Sequence, residues 1–270
     1  MGRQENIAIF DDTMALCTSE DELRQSISKS TANQLLILEN DNLPKLKANY
    51  KDNADIIVSE KRTFEAAESY ALAGKKVCVL NFASATNPGG GVLNGAGAQE
   101  ECLCRCSTLY FALTKRNLYT DFYLPHRRAQ NNLHNNDIIY TPDVTVFKTD
   151  TLEPKIMDKK DWYNVNVITC AAPNLRFIPK DKINNEEIYT IQLERFSRIL
   201  SVAASQGNEV VILGAFGCGA FMNPLAAVAE AAKNSVREFF KYFETIEFAI
   251  YCRDDDKSNY TTFRDTLKQL

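Results

Sequence analysis

The sequence predicts an α/β protein in which a central sheet lies between layers of helices, and two observations carry that prediction. Short apolar runs typical of buried strands alternate along most of the chain with longer amphipathic runs typical of helices. The 270 residues are 45% hydrophobic and 24% charged. This supplies one sizeable core and excludes a long disordered or collagen-like chain. We therefore expect a three-layer α/β/α domain.

The domain is expected to span residues 53–270, after an amino-terminal helical extension at residues 1–52. In the extension, Ser19 and Glu22 have the spacing of a capping box, which predicts the start of a charged helix. Pro44 punctuates the end of the segment. We expect the extension to pack against the domain.

Strands and helices are expected to alternate through the domain. Strand predictions rest on short apolar runs, and helix predictions rest on apolar residues three and four positions apart. The expected strands are residues 56–58, 77–82, 138–140, 144–147, 165–170, 209–213 and 246–252. The expected helices are residues 61–73, 100–115, 186–204, 224–242 and 260–270. A polar loop is expected at residues 125–136.

The charge balance and the rare residue types exclude several functions. Lys and Arg number 31 against 35 Asp and Glu, which gives a formal charge of −4 and no bulk attraction to DNA, RNA or an anionic membrane. There are only 2 histidines, so chemistry that needs several is disfavoured. No apolar run approaches the ~20 residues of a membrane span, and no signal peptide is apparent. We expect a cytoplasmic protein, or a nuclear one if the source is eukaryotic.

The 8 cysteines are interpreted as reduced core thiols rather than as a disulfide framework. The one cluster is Cys102, Cys104 and Cys106. On a helix, Cys102 and Cys106 share a face while Cys104 points away, and no second Cys or His pair lies nearby. We therefore expect packing roles for this cluster, and neither a metal nor another cofactor.

Glycine is concentrated in two loops, each of which follows a predicted strand and precedes a helix. Of the 11 glycines, eight fall in residues 89–97 and 214–219. Glycine lets backbone N–H groups approach an anion, and the helix amino terminus adds partial positive charge. Tight turns alone would explain one such loop, whereas the pair favours a cradle for a diphosphate. Neither loop is a Walker A or a dinucleotide-binding motif.

Two adjacent acids, Glu100 and Glu101, begin the helix after the first glycine loop. Helix capping is one interpretation, because acids are favoured at a helix amino terminus. The other is catalytic: a neighbouring diphosphate would raise a carboxyl pKa and prepare the group to donate a proton. Adjacent helical residues diverge by ~100°, so the pair cannot act as the opposed carboxylates of an ordinary glycosidase. One acid would transfer protons while the other orients a sugar hydroxyl.

The motifs in residues 81–85, 87–91 and 99–101, reading NFASA, NPGGG and QEE, resemble the signature of poly(ADP-ribose) glycohydrolases. The similarity is greatest to the compact microbial-type branch, and residues 214–221 (GAFGCGAF) support it. The resemblance implies a macrodomain with a mixed central sheet. It also implies hydrolysis of ribose–ribose bonds in poly(ADP-ribose) or ADP-ribosylated macromolecules, with ADP-ribose as the product.

The resemblance also implies a role for each matching residue. Glu101 would be the general acid and base, and Glu100 would hold a hydroxyl of the adjoining ribose. The remaining residues expected to bind substrate are Asn87, Gly89, Gly90, Gly91, Gln99, Gly217, Cys218, Gly219, Ala220 and Phe221. Phe221 is equally well explained as a core residue.

Three other functions stay open at this point. The chain could bind ADP-ribose without cleaving it, or it could remove a single ADP-ribose from a macromolecule. A cysteine hydrolase using Cys218 is disfavoured, because neither histidine lies in a motif that would supply its base. For the polymer, the acidic chain is poorly suited to gripping a long polyanion. We therefore expect removal of units mainly from the polymer end.

Overall fold

The computed structural model describes residues 2–179 and 181–270, and a seven-stranded sheet lies at its centre. The strands are β1 (Leu35–Ile37), β2 (Asp55–Ser59), β3 (Val77–Phe82), β4 (Ile138–Val146), β5 (Tyr163–Cys170), β6 (Val210–Leu213) and β7 (Thr245–Ala249). Their order across the sheet is β1-β4-β5-β3-β6-β7-β2. β5, β3, β6, β7 and β2 are parallel to one another, whereas β4 is antiparallel to both of its neighbours. The predicted mixed sheet is confirmed.

Helices cover both faces of the sheet. They are α1 (Arg3–Ser19), α2 (Asp21–Ala32), α3 (Thr63–Leu72), α4 (Gln99–Cys106), α5 (Leu109–Leu113), α6 (Arg116–Leu118), α7 (Leu124–Ala129), α8 (Asn185–Ser205), α9 (Leu225–Phe239) and α10 (Ser258–Leu267). A π-helical turn, Tyr119–Tyr123, joins α6 to α7. Short 3₁₀ turns lie at Val92–Asn94, Lys159–Asp161 and Leu175–Phe177.

Alternation along the buried strands divides the apolar residues into two cores. In β3, Cys78 and Leu80 pack into the core that contains α8, α9 and α10. Val77 and Val79 point the other way, into the core that contains α1, α3, α4 and α5. Because successive strand side chains face opposite sides of a sheet, this pattern produces the three layers expected from the sequence.

Some predicted boundaries are wrong, and tertiary contacts explain them. The predicted helix 100–115 is interrupted at Ser107, which is extended and pairs with Val146. The predicted loop 125–136 is helical up to Ala129, because α7 continues from the π-helical turn. The two strands predicted at 138–140 and 144–147 are one strand with an irregularity between Thr141 and Val144.

The amino-terminal segment contains two helices and also contributes a strand. α1 continues through Ser19, and Glu20 precedes α2, so the predicted capping box of Ser19 and Glu22 is wrong. After α2, β1 pairs with β4 and extends the sheet. The side-chain Nδ2 of Asn6 in α1 donates to the carbonyl of Gly95 in the first glycine loop at 3.0 Å. The division of the chain at residues 52 and 53 stays a prediction.

Candidate active site

The two glycine loops meet at one edge of the sheet, because each follows one of two adjacent parallel strands. β3 leads into residues 83–98, and β6 leads into residues 214–224. The pairing of β3 with β6 places their carboxyl ends side by side. In open α/β sheets this edge is where ligands bind. α4 then begins at Gln99 and carries the two glutamates.

The first glycine loop packs directly on both carboxylates. Gly89 and Gly90 have φ of 68° and 60°, which favours glycine at these positions. A Cβ on Gly90 would lie 2.4 Å from Glu101 Oε1 and 2.9 Å from Glu100 Oε2. The amide of Gly90 also donates to the carbonyl of Asn87 at 3.0 Å, closing a turn. The loop therefore needs glycine in order to bring its backbone onto the acids.

Glu101 has one carboxylate oxygen fixed and one without a partner. Its Oε1 accepts a hydrogen bond from the amide of Gly91 at 2.7 Å. Its Oε2 is buried and has no hydrogen-bond partner among the described residues. The residue is only 6% exposed. A buried oxygen of this kind needs a partner, which a ligand hydroxyl or a water molecule can supply.

Glu100 is held by protein donors at both oxygens. The amide of Ser84 donates to Oε2 at 2.7 Å, and the side chain of Asn81 donates to Oε1 at 3.3 Å. Glu100 is 3% exposed. Burial raises its pKa from 4.5 to about 8, and the adjacent charge of Glu101 adds to this increase. A neutral Glu100 can stand beside Glu101 without repulsion between like charges.

The second glycine loop is fixed to the segment after β5. Gly217 has φ of 81°, and a Cβ there would lie 2.8 Å from both Ala172 Cβ and Asn223 Nδ2. Asn223 Nδ2 donates to the carbonyls of Pro173 at 2.6 Å and of Gly217 at 3.1 Å. The loop is thus held in one conformation before any ligand binds.

Cys218 lies in this loop, and its surroundings do not favour a nucleophile. Burial raises the pKa of its thiol to about 12. A reactive cysteine needs the opposite shift, because the thiolate is the attacking species. His134, whose pKa burial lowers to about 4, contacts the ring of Phe221 rather than the thiol, with ring centroids 6.5 Å apart.

A cavity of about 710 Å³ opens beside the second loop and the start of α4. Several predicted substrate-binding residues line it, namely Gln99, Gly217, Gly219, Ala220 and Phe221. The described lining does not include Asn87, Gly89–Gly91, Glu100, Glu101 or Cys218. The glutamates are instead covered by Gly90. The structure therefore places the predicted residues in one region but divides them between the cavity wall and the layer beside it.

Gln99 lies at the cavity wall, but its amide is engaged with the protein. Its Oε1 accepts from the amide of Phe82 at 2.9 Å, and its Nε2 donates to the carbonyl of Leu80 at 2.7 Å and to Thr63 Oγ1 at 3.0 Å. These bonds join α4 to β3 and α3. A substrate-binding role for Gln99 stays a prediction, and the contacts show a structural one.

Sequence reasoning missed a group of basic residues on the cavity wall. Lys61, Arg62, Arg105 and Arg253 all line it. Arg105 is only 2% exposed and donates to the carbonyl of Ala96 at 2.7 Å. The position of Lys61 and Arg62 directly after β2, at the same end of the parallel strands as the glycine loops, was the signal that could have found them.

Tyr251 and Asn6 also reach the cavity from distant parts of the chain. The guanidinium of Arg62 lies 4.1 Å from the centroid of the Tyr251 ring, which is a cation–π contact. Asn6 Oδ1 is buried and has no partner within the described residues. The described lining therefore combines four basic side chains and an aromatic ring with one acidic residue, Asp150, whose Oδ1 lies 3.9 Å from Arg62 Nη1.

The cluster of Cys102, Cys104 and Cys106 packs within the protein, as expected from the sequence. Cys104 and Cys106 are buried, and Cys102 accepts a hydrogen bond from Arg105 at 3.1 Å. Within residues 2–179 and 181–270, no three His, Cys, Asp or Glu side chains are grouped to hold a metal ion. No helix in this part of the chain is long and apolar enough to cross a membrane.

Comparison with known proteins identifies the family. The family described as "Microbial-type PARG, catalytic domain" matches residues 4–149, more than half of the chain. The poly(ADP-ribose) glycohydrolase of Thermomonospora curvata has 29% identity and a TM-score of 0.87, with coverage of 97% of this chain and 99% of that one. A structure of that enzyme bound to the inhibitor ADP-HPD has a TM-score of 0.83 at the same identity and coverage.

A second solved relative is the poly(ADP-ribose) glycohydrolase of Deinococcus radiodurans in complex with ADP-ribose. It has 30% identity and a TM-score of 0.81, with coverage of 90% of this chain and 98% of that one. Among curated proteins, none matches the chain in sequence. The resemblance seen in the motifs is confirmed, and the chain belongs to the microbial-type poly(ADP-ribose) glycohydrolase family.

Proposed function

We propose that this protein hydrolyses the ribose–ribose O-glycosidic bonds of poly(ADP-ribose) and releases ADP-ribose, with Glu101 as general acid and base. The observation that carries the proposal is the buried Oε2 of Glu101, which lies beside a glycine loop and has no hydrogen-bond partner among the described residues. Membership of the family supports it, as do the relatives named poly(ADP-ribose) glycohydrolase, one bound to ADP-ribose and one to the inhibitor ADP-HPD.

In this mechanism, the proton is transferred through Glu101 Oε2. Glu101 enters the reaction protonated at Oε2 and gives that proton to the departing ribose oxygen as the glycosidic bond breaks. The resulting carboxylate then takes a proton from the water that attacks the anomeric carbon, which restores the starting form. The hydrogen bond from the Gly91 amide to Oε1 fixes the carboxylate, so the other oxygen keeps one orientation. Glu101 thus acts first as the acid and then as the base. One residue must fill both roles, because the carboxyl of Glu100 is already hydrogen-bonded to Ser84 and Asn81.

Glu100 orients the substrate in the proposal. Both of its oxygens accept hydrogen bonds, from Ser84 and Asn81. Its raised pKa keeps a proton on the carboxyl near neutral pH, so the group can donate to a ribose hydroxyl. A neutral Glu100 also adds no like charge beside Glu101 when that residue becomes a carboxylate after the first step.

The diphosphate is proposed to lie between the glycine loops. Backbone amides of Gly217, Gly219 and Ala220 would bind it on the cavity side. Asn87, Gly89–Gly91 and Cys218 would complete the cradle by shape, because the amides of Gly90, Gly91 and Cys218 already donate within the protein. Phe221 would pack on the ligand. The basic residues of the cavity wall support an anionic ligand, because they place positive charge locally on the cavity wall even though the chain as a whole carries a formal charge of −4.

The proposal also covers the partner and the compartment. ADP-ribosylated macromolecules would be the substrates, and no DNA or membrane partner is proposed. All eight cysteines are unpaired. Free thiols in that number support a cytoplasmic location, where disulfides are rare.

The decisive experiment compares the wild type with Glu101→Gln on purified poly(ADP-ribose). Turnover should be abolished in the variant, while its ADP-ribose affinity stays within about tenfold, ~1.4 kcal/mol, because glutamine keeps the shape of the side chain. Glu238→Gln is a matched control at an exposed position on α9. A wild type that binds ADP-ribose but never cleaves polymer would instead identify a binding protein.

Product analysis over time tests where the polymer is cut. Removal from the end predicts that ADP-ribose dominates from the earliest samples. Mainly oligomeric products at early times would contradict that part of the proposal. Cleavage of single ADP-ribose units from protein, without cleavage of polymer, would favour the mono-ADP-ribosyl hydrolase alternative.

A further inference from the structure

The π-helical turn and α7 carry an arginine and a tyrosine to the outer side of the first glycine loop. Arg127 Nε donates to the carbonyl of Thr86 at 2.6 Å, and its Nη2 donates to Asn87 Oδ1 at 2.8 Å. Its Nη1 lies 3.3 Å from the hydroxyl of Tyr119, and the guanidinium lies 5.4 Å from the centroid of that ring. Arg127, Tyr119 and Asn87 are all exposed.

We infer that Arg127 and Tyr119 form a subsite for the ADP-ribose unit on the leaving side of the cleaved bond. This inference rests on the proposed function. The positive charge of Arg127 is not neutralised within the part of the chain that the structure describes, since none of the ion pairs found there includes Arg127. Its partners are a carbonyl, an amide oxygen and a phenol. Two of the guanidinium's five N–H groups remain free to bind an anion.

The position of this pair follows from a continuous series of contacts. Ala98 and Gln99 line the cavity, and the next two residues are the glutamates. Gly90 covers both carboxylates, and its amide bonds to the carbonyl of Asn87. Asn87 in turn contacts Arg127, and neither residue is part of the described cavity lining. In this series of contacts, the glutamates come after the cavity wall and before Arg127.

A substrate that extends from the cavity to Arg127 places its terminal ADP-ribose at one end and the unit that leaves at the other. When the terminal ADP-ribose occupies the cavity and its linkage reaches Glu101, the unit that leaves extends towards Arg127. In the polymer, that unit carries a diphosphate and an adenine. A guanidinium matches the geometry of phosphate oxygens, and an exposed tyrosine ring offers a face on which a base can stack. A protein side chain as leaving group has neither feature, so the pair favours polymer over single linked units.

The test measures steady-state kinetics on purified poly(ADP-ribose) for Arg127→Ala, with Arg128→Ala as the matched control. Arg128 is the next residue and is also exposed. For Arg127→Ala we expect KM to rise at least tenfold, kcat to stay within about threefold, and ADP-ribose affinity to stay within about twofold. The salt dependence of kcat/KM should become shallower, because one phosphate contact is lost. Arg128→Ala should match the wild type in all four measurements.

Tyr119 gives an independent check of the base-stacking part. Tyr119→Phe should keep a KM close to that of the wild type, while Tyr119→Ala should raise it several-fold. A fall in kcat with unchanged KM and an unchanged salt slope would overturn the inference, because it would mean that Arg127 only positions Asn87. Wild-type kinetics in Arg127→Ala would overturn it as well. A wild type without activity on polymer would instead refute the proposed function itself.

Discussion

Replacing Gly90 by alanine tests whether the glycine loop sets the position of the glutamates. The added Cβ would lie 2.4 Å from Glu101 Oε1, whereas ordinary contact begins at 3.4 Å. The carboxylate and the loop must therefore separate by about 1 Å, a displacement that can lower a rate about 100-fold. The φ of 60° costs a further ~1 kcal/mol for a residue with a Cβ. We expect kcat on poly(ADP-ribose) to fall about 100-fold and the free energy of unfolding to fall by ~1–2 kcal/mol.

Gly74→Ala separates the two effects. Gly74 has φ of 81°, but a Cβ there meets no heavy atom within 4 Å. This variant should lose a similar ~1–2 kcal/mol of stability in urea titration and keep the kcat of the wild type. If Gly90→Ala also keeps the wild-type kcat, the loop does not set the position of the carboxylate and the reasoning fails.

Two further predictions follow from buried polar contacts. Because burial raises the pKa of Glu100 from 4.5 to about 8, the folded protein keeps a proton that the unfolded chain releases, and its contribution to stability is lost as pH rises between these values. The difference in urea midpoint between Glu100→Gln and the wild type should therefore shift in favour of the variant across this window, and a constant difference would contradict the assignment. Asn6→Ala should lower the free energy of unfolding by about 1–3 kcal/mol, since the Gly95 carbonyl loses its buried donor. Asn33→Ala removes only an exposed bond to the Lys29 carbonyl and should change stability by less than about 0.5 kcal/mol. Both variants are measured by urea titration, and equal losses would argue against a special role for α1.

The central strands were predictable because each is a run of consecutive, mainly apolar residues, a pattern that indicates a buried strand. Val77–Phe82 and Val210–Leu213 are short, mainly apolar runs that each precede a glycine-rich loop, and the two form neighbouring parallel strands. The break at Ser107 was not predictable, because it depends on pairing with Val146, far along the chain. Local periodicity carries no information about such a partner.

The site shows the same division between local and distant information. The contact of Gly90 with Glu100 and Glu101 lies within one motif, so the sequence could indicate that loop and acids act together. The cavity wall instead draws Asn6 and Tyr251 from opposite ends of the chain. Their proximity arises from the order of the strands and the packing of α1, neither of which a pattern of residue types specifies.

The pairing of β1 with β4 also bears on the solubility of shortened forms of the protein. β1 occupies the outer edge of β4 at Ile138–Tyr140, and Ser30 of α2 donates to the carbonyl of Asp143 further along the same edge at 2.8 Å. An uncovered strand edge offers free backbone groups to other chains and promotes edge-to-edge aggregation. The amino-terminal segment thus protects the edge of β4 from pairing with other chains. A fragment that lacked this segment would expose that edge and would be prone to aggregation.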